Sequence, residues 1–129
     1  MVKKAIIIIC ILITIITFGI FEIIWVSKIL TTMENTIIDL SRQYELSEKE
    51  ITEYYDTIGD IKEFWMKKEE WLCYLFNHRD LSVITDSFNR LQAYTKNNDY
   101  DNAIAELALL KYYSSKNNHI MGFDINNIF

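Results

Sequence analysis

Apolar residues fall in two regimes along this chain. From Ala5 to Phe21 seventeen residues pass without a charge, and after Glu22 the run resumes as Ile23-Ile24-Trp25-Val26. As a helix, residues 5–26 extend about 33 Å, enough to cross a hydrocarbon core of roughly 30 Å. An isoleucine-rich run favours strand in water, but a lone segment in lipid must satisfy its own backbone, so helix is predicted. Glu22 and Trp25 fall at the far end of the span, at the interface where a carboxylate is tolerable and an indole is favoured.

Beyond the span the pattern becomes periodic. Val26, Leu30, Met33, Ile37, Leu40 and Tyr44 alternate spacings of four and three, one face of an amphipathic helix that continues out of the bilayer. Ser47 with Glu50 three residues on reads as a capping box opening a second helix. Its stripe is Ile51, Tyr54, Ile58, Ile61, Trp65, Leu72 and Leu75, with Lys68 off pattern and Gly59 marking a kink or a close helix approach. The polar stretch Asn77-His78-Arg79-Asp80 reads as a connection. A third helix carries Leu81, Ile84, Phe88 and Leu91, with Tyr94 beside them. Lys96 to Asp99 is a second break, with Asp99 as N-cap. A fourth helix buries Tyr100, Ala103, Ile104, Leu107 and Leu110, and frays at Ser114 to Asn118. The tail then turns apolar and ends in Asn127-Ile128-Phe129, an expected cover for the stripe beside the membrane.

Breaks of about four residues force neighbouring helices antiparallel. The fold class expected is all-α: a short tail (1–4), a transmembrane anchor (5–26) and a small antiparallel helical bundle (27–129). A cleaved signal peptide is the rival for the anchor, since Thr17-Phe18-Gly19 offers small residues, but the apolar run is too long and continues past that site. Lys3 and Lys4 on one side, against Lys28 and Arg42 on the other, favour an N-terminus inside and a body outside the cytoplasm.

Charge and chemistry narrow the function. Of 13 basic and 18 acidic residues, two and one lie in residues 1–26, so the body carries a net charge of −6. That argues against nucleic-acid binding. His78 and His119 are the only histidines, and neither has a second ligand at helical spacing, so no metal site and no cofactor are expected. His78 is placed at a helix C-terminus, offsetting the dipole. Cys73 has no basic neighbour in sequence and reads as a buried inert thiol; Cys10 lies in the membrane. Glu63, Glu69, Glu70 and Asp60 interleave with Lys62, Lys67 and Lys68 as a solvated face. No catalytic residue is expected.

Several short signatures occur in a defined order. They are Trp65 and Trp71, the Asn77-His78 turn, Arg90-Leu91 with Tyr94, then Asp99, Ala103, Glu106 and Leu107, and the terminal Asn127-Ile128-Phe129. With the lysine-started anchor they resemble the bacterial family called domain of unknown function 4363 over nearly the whole length. Arg79 intervenes between His78 and Asp80, where the family often has an acid directly. The resemblance implies architecture and location, and no activity.

The function expected is a non-enzymatic, membrane-anchored interaction or scaffold protein. Its partners would be the bilayer through residues 5–26, and an integral membrane protein or a second copy. Candidate partner-binding residues are Met33 and Ile37 on the juxtamembrane stripe, and Trp65 and Trp71 among aromatics too numerous for one buried stripe. An extracytoplasmic ligand-binding or sensory helical module is the alternative, and an anchored enzyme is the third and least favoured reading.

Overall fold

The two regimes meet inside one helix. The computed structural model describes residues 1–121, with side chains through residue 116; the apolar tail expected to cover the juxtamembrane stripe lies outside the described residues. Helix α1 runs unbroken from Val2 to Leu46. Its first part is bare: Ile6 to Ile16, Phe18, Ile20 and Phe21 leave most of their large apolar side chains uncovered. From Val26 the same helix is interior, with Val26, Ile29, Leu30, Met33, Ile37, Leu40 and Tyr44 buried. The expected stripe is thus the core face, with Ile29 added where it broadens beyond an a/d seam.

A short 3₁₀ turn, Thr52–Tyr54, leads into α2 (Tyr55–Leu72), followed by α3 (His78–Lys96) and α4 (Tyr100–Met121). The described residues contain no strand. Helix α1 packs chiefly on α4, α4 on α3, and α3 on α2; the α1–α2 seam is the slightest. The helices alternate in direction, so the α1–α2 and α3–α4 turns sit together at the end far from the bare segment. There the Asn98 carboxamide accepts a bond from the Ile51 amide at 2.9 Å.

Three polar clamps set the packing. The Tyr44 and Thr95 hydroxyls lie 2.6 Å apart in the core between the ends of α1 and α3. Burial pushes the Tyr44 phenol up to about 12. Arg90 of α3 donates to Glu106 of α4 through Nε at 2.7 Å and Nη2 at 3.2 Å, and Nη2 also reaches Ser87. This forked pair holds the Arg90 guanidinium above its usual range, chiefly through the Glu106 hydrogen bond. The Trp65 indole N–H donates to Thr85 at 2.9 Å, joining α2 to α3. Gly59 marks a close approach, since a Cβ there would meet the Gln92 amide nitrogen at 3.2 Å.

Three local expectations need correction. Ser47 opens no helix: its hydroxyl donates back to the Tyr44 carbonyl at 2.7 Å, ending α1, and Glu48 and Lys49 then turn the chain with positive φ. His78 is the first residue of α3, because Asn77 adopts an extended conformation and its side chain accepts from the Arg79 amide. The imidazole therefore cannot offset a helix C-terminal dipole. The polar run from Ser114 does not end α4, which continues to Met121 with Ser114 buried in line with Leu107 and Leu110. Asp99 does act at the start of α4, accepting from Asn102.

Trp65 and Trp71, six residues apart on one helix, should respond oppositely to truncation. Trp65→Ala removes a fully buried indole and the bond it donates to Thr85, so denaturation of the detergent-solubilised chain should show a loss of about 3–5 kcal/mol. Trp71→Ala, at an exposed position, should cost under about 1 kcal/mol.

Candidate functional site

The site grows from how α2 ends. The helix descends the bundle to the point where α1 leaves it, and Leu72 is its last buried residue. Cys73, Tyr74, Leu75 and Phe76 then form a turn closed by bonds from the Leu75 and Phe76 amides to the Leu72 carbonyl, both at 2.9 Å. Leu72 and Phe76 point inward against the core. Helical geometry therefore sends Trp71, Tyr74 and Leu75 the other way. Trp71 is 65% and Tyr74 85% exposed, with their rings 6.4 Å apart.

These side chains face α1. Phe18, Phe21, Glu22 and Trp25, spaced three, one and three along one helical face, form the opposite wall of an open groove of about 510 Å³. The groove is almost wholly apolar, and Glu22 is its one carboxylate. At its edge the Lys68 ammonium lies 5.7 Å from the Trp25 ring centre and 5.6 Å from that of Phe64. Lys68, off pattern in sequence, is thus a cation seated over aromatic faces where the bundle meets the bare helix.

The same turn builds a second groove of about 320 Å³, lined by Glu63, Met66, Lys67, Glu69, Glu70, Cys73 and His78. Here Cys73 Sγ and His78 Nδ1 are 3.2 Å apart. Donor atoms of Glu69, Cys73 and His78 all lie within 4.8 Å of one another, the geometry of a potential metal-ligand set. Glu69 is held by the Thr85 hydroxyl, which donates to Oε2 at 2.6 Å while accepting from Trp65. Cys73 therefore does have an imidazole neighbour, and it is half-buried rather than interior. Burial, then the Glu69 and Glu70 carboxylates, push its thiol up, which works against a free thiolate nucleophile. The expected solvated charge face is only partly such: Lys67 pairs with Glu63 at 2.8 Å, whereas Lys62 donates to Gln92 and Lys68 sits on aromatic rings.

Of the four candidate partner-binding residues, three are interior. Met33, Ile37 and Trp65 are 1%, 0% and 0% exposed, because the stripe from Val26 to Tyr44 and the α2 indole are consumed by the protein's own bundle. Met33 reaches only the floor of a smaller α1–α2 groove with Thr32, Thr36, Asp60, Ile61 and Phe64. Trp71 alone is presented at the surface. Sequence reasoning missed its setting against Phe18, Phe21, Glu22 and Trp25, and the Cys73–His78 contact. One signal pointed to the latter: Asn77 followed three residues on by Asp80 has the form of a helix N-terminus. It places His78 beside the end of α2.

No curated protein and no solved structure matches the chain. The family described as Domain of unknown function (DUF4363) matches residues 20–128, from the last turns of the bare helical segment to the C-terminal tail, and the chain belongs to that family.

Proposed function

We propose that this protein is a single-pass, membrane-anchored, non-enzymatic interaction protein whose bundle stands at the membrane surface and engages another integral membrane protein. The observation that carries the reading is the contrast within α1. Its apolar window near the N-terminus is long enough to cross a bilayer and no part of it is buried by the described residues, while one face of the helix from Val26 onward is core. An uncovered isoleucine helix is stable in lipid and a liability in water.

The partner surface on this reading is the apolar groove. Since Met33, Ile37 and Trp65 are interior, contact falls to Phe18, Phe21, Glu22 and Trp25 of the anchor and to Trp71, Tyr74 and Leu75 of the turn. A wall set for lipid tails alone has no use for a carboxylate. Glu22 supplies an acceptor for a partner's donor at the depth where its desolvation is least costly. Clustered exposed aromatics are the side chains that most often anchor interfaces.

Lys3 and Lys4 support an orientation with the N-terminus in the cytoplasm and the bundle outside. A cysteine at exposed Asn97, in a Cys73→Ser background, should then react with a membrane-impermeant maleimide in intact cells. Reaction only after lysis would reverse the orientation.

The partner is tested by photo-crosslinking in native membranes. Crosslinkers replacing Phe21 and Trp71 should give one common protein adduct, and one replacing Leu46, at the far end, should not. Adducts with lipid only would end the partner reading, and an adduct of twice the chain's mass would make a second copy the partner.

A further inference from the structure

The second groove, on the other side of the α2–α3 turn, carries a separate inference, independent of the partner reading. We propose that Glu69, Cys73 and His78 form a three-ligand site for a divalent transition-metal cation, Zn²⁺ by the character of the donors, with the fourth position left to water.

The geometry is close to closure. Zinc bonds of about 2.0–2.3 Å to oxygen, nitrogen and sulfur place tetrahedral donors roughly 3.4–3.6 Å apart. Cys73 Sγ and His78 Nδ1 are at 3.2 Å, and the three donors fit within 4.8 Å. Rotation among side-chain rotamers can bring the donors from within 4.8 Å to that spacing. The backbone around it is fixed: Cys73 is the C-cap of α2, its amide bonded to the Glu69 carbonyl at 2.9 Å, and His78 opens α3 behind the Asn77 cap. Glu69 sits one turn before Cys73 on the same helical face.

A second layer holds the carboxylate. Thr85 donates to Glu69 at 2.6 Å and is itself fixed by the buried Trp65 indole at 2.9 Å. Such outer hydrogen bonds orient metal ligands and tune affinity. The groove's charge has the right sign, with Glu63, Glu69 and Glu70 against Lys67, and Lys67 is paired with Glu63. Thiol and imidazole donors select zinc-like cations over magnesium or calcium, which prefer oxygen. On binding, a metal–sulfur bond forms and the thiol proton leaves to solvent. Because His78 is exposed and the groove open, water has access to the remaining position.

The test uses the tag-free full chain in detergent micelles, freed of metal with a chelator and titrated with Co²⁺. One equivalent should produce a thiolate-to-cobalt charge-transfer band and the visible spectrum of a four-coordinate ion, and Zn²⁺ should abolish both. Cys73→Ser should remove the charge-transfer band. His78→Ala and Glu69→Gln should weaken binding at least 10-fold, and Cys10→Ser should change nothing. Thr85→Val touches no ligand position directly and should weaken binding about 10–100-fold. Far-ultraviolet circular dichroism checks that each variant keeps its helices. Failure of the wild-type chain to develop the band, or its persistence in Cys73→Ser, overturns the site and leaves only a Cys73–His78 hydrogen bond. The wild-type titration decides the matter even if a variant fails to fold.

Discussion

Helix α1 is one rod with two kinds of surface, apolar all round in its first part and apolar on one face beyond Val26, and the rest of the structure follows from its continuity. No glycine or proline interrupts it near Trp25 and Val26, where the bare segment becomes core. A helix satisfies its backbone internally, so the same conformation serves on both sides of that point; only the side chains change, from apolar on every face to apolar on one. From Val26 to Tyr44 the rod rises about 27 Å, and α2, α3 and α4 run along that length. The direction of the bundle is thereby fixed relative to the bare segment. The α2–α3 turn must come back to where α1 emerges, and the turns at Glu48–Lys49 and Asn97–Asn98 must lie at the opposite end.

This placement explains why chemistry and exposed aromatics share one turn. Leu72 and Phe76 spend the inward directions on the core. Trp71, Tyr74 and Leu75 are left facing the bare segment of α1, while Glu69, Cys73 and His78 meet on the other side. Several of the residues that carry the family resemblance have structural work: Trp65 is core, Asn77 caps α3, Arg90 and Glu106 fork together, and Ala103 and Leu107 are buried. Trp71 and His78 have no comparable packing role, and each lines one of the two grooves.

The helices and most core positions were legible in sequence because burial follows the 3.6-residue period, from Met33 and Ile37 through Trp65 to Leu91. That legibility also misled. A stripe of apolar residues looks the same whether a partner or the protein's own helices cover it, so Met33, Ile37 and Trp65 read as surface candidates until their neighbours were placed. Helix ends were less legible, because Ser47 and Asn77 can each cap in two directions, and hydrogen bonds decide which. The Cys73–His78 contact depended on one such end. The groove between Phe18–Trp25 and Trp71–Leu75 joins segments some fifty residues apart, a distance local patterns do not span.

The central claim is that the α2–α3 turn lies at membrane level beside the emerging anchor. The most direct measurement is tryptophan quenching by brominated lipids in vesicles holding the purified full chain, compared with Trp25→Phe and Trp71→Phe variants. The account predicts that each substitution removes part of the quenchable emission, and that buried Trp65, in the middle of the bundle, supplies the unquenched remainder. Emission from Trp71 that is as insensitive to the brominated lipid as that of Trp65 would contradict it.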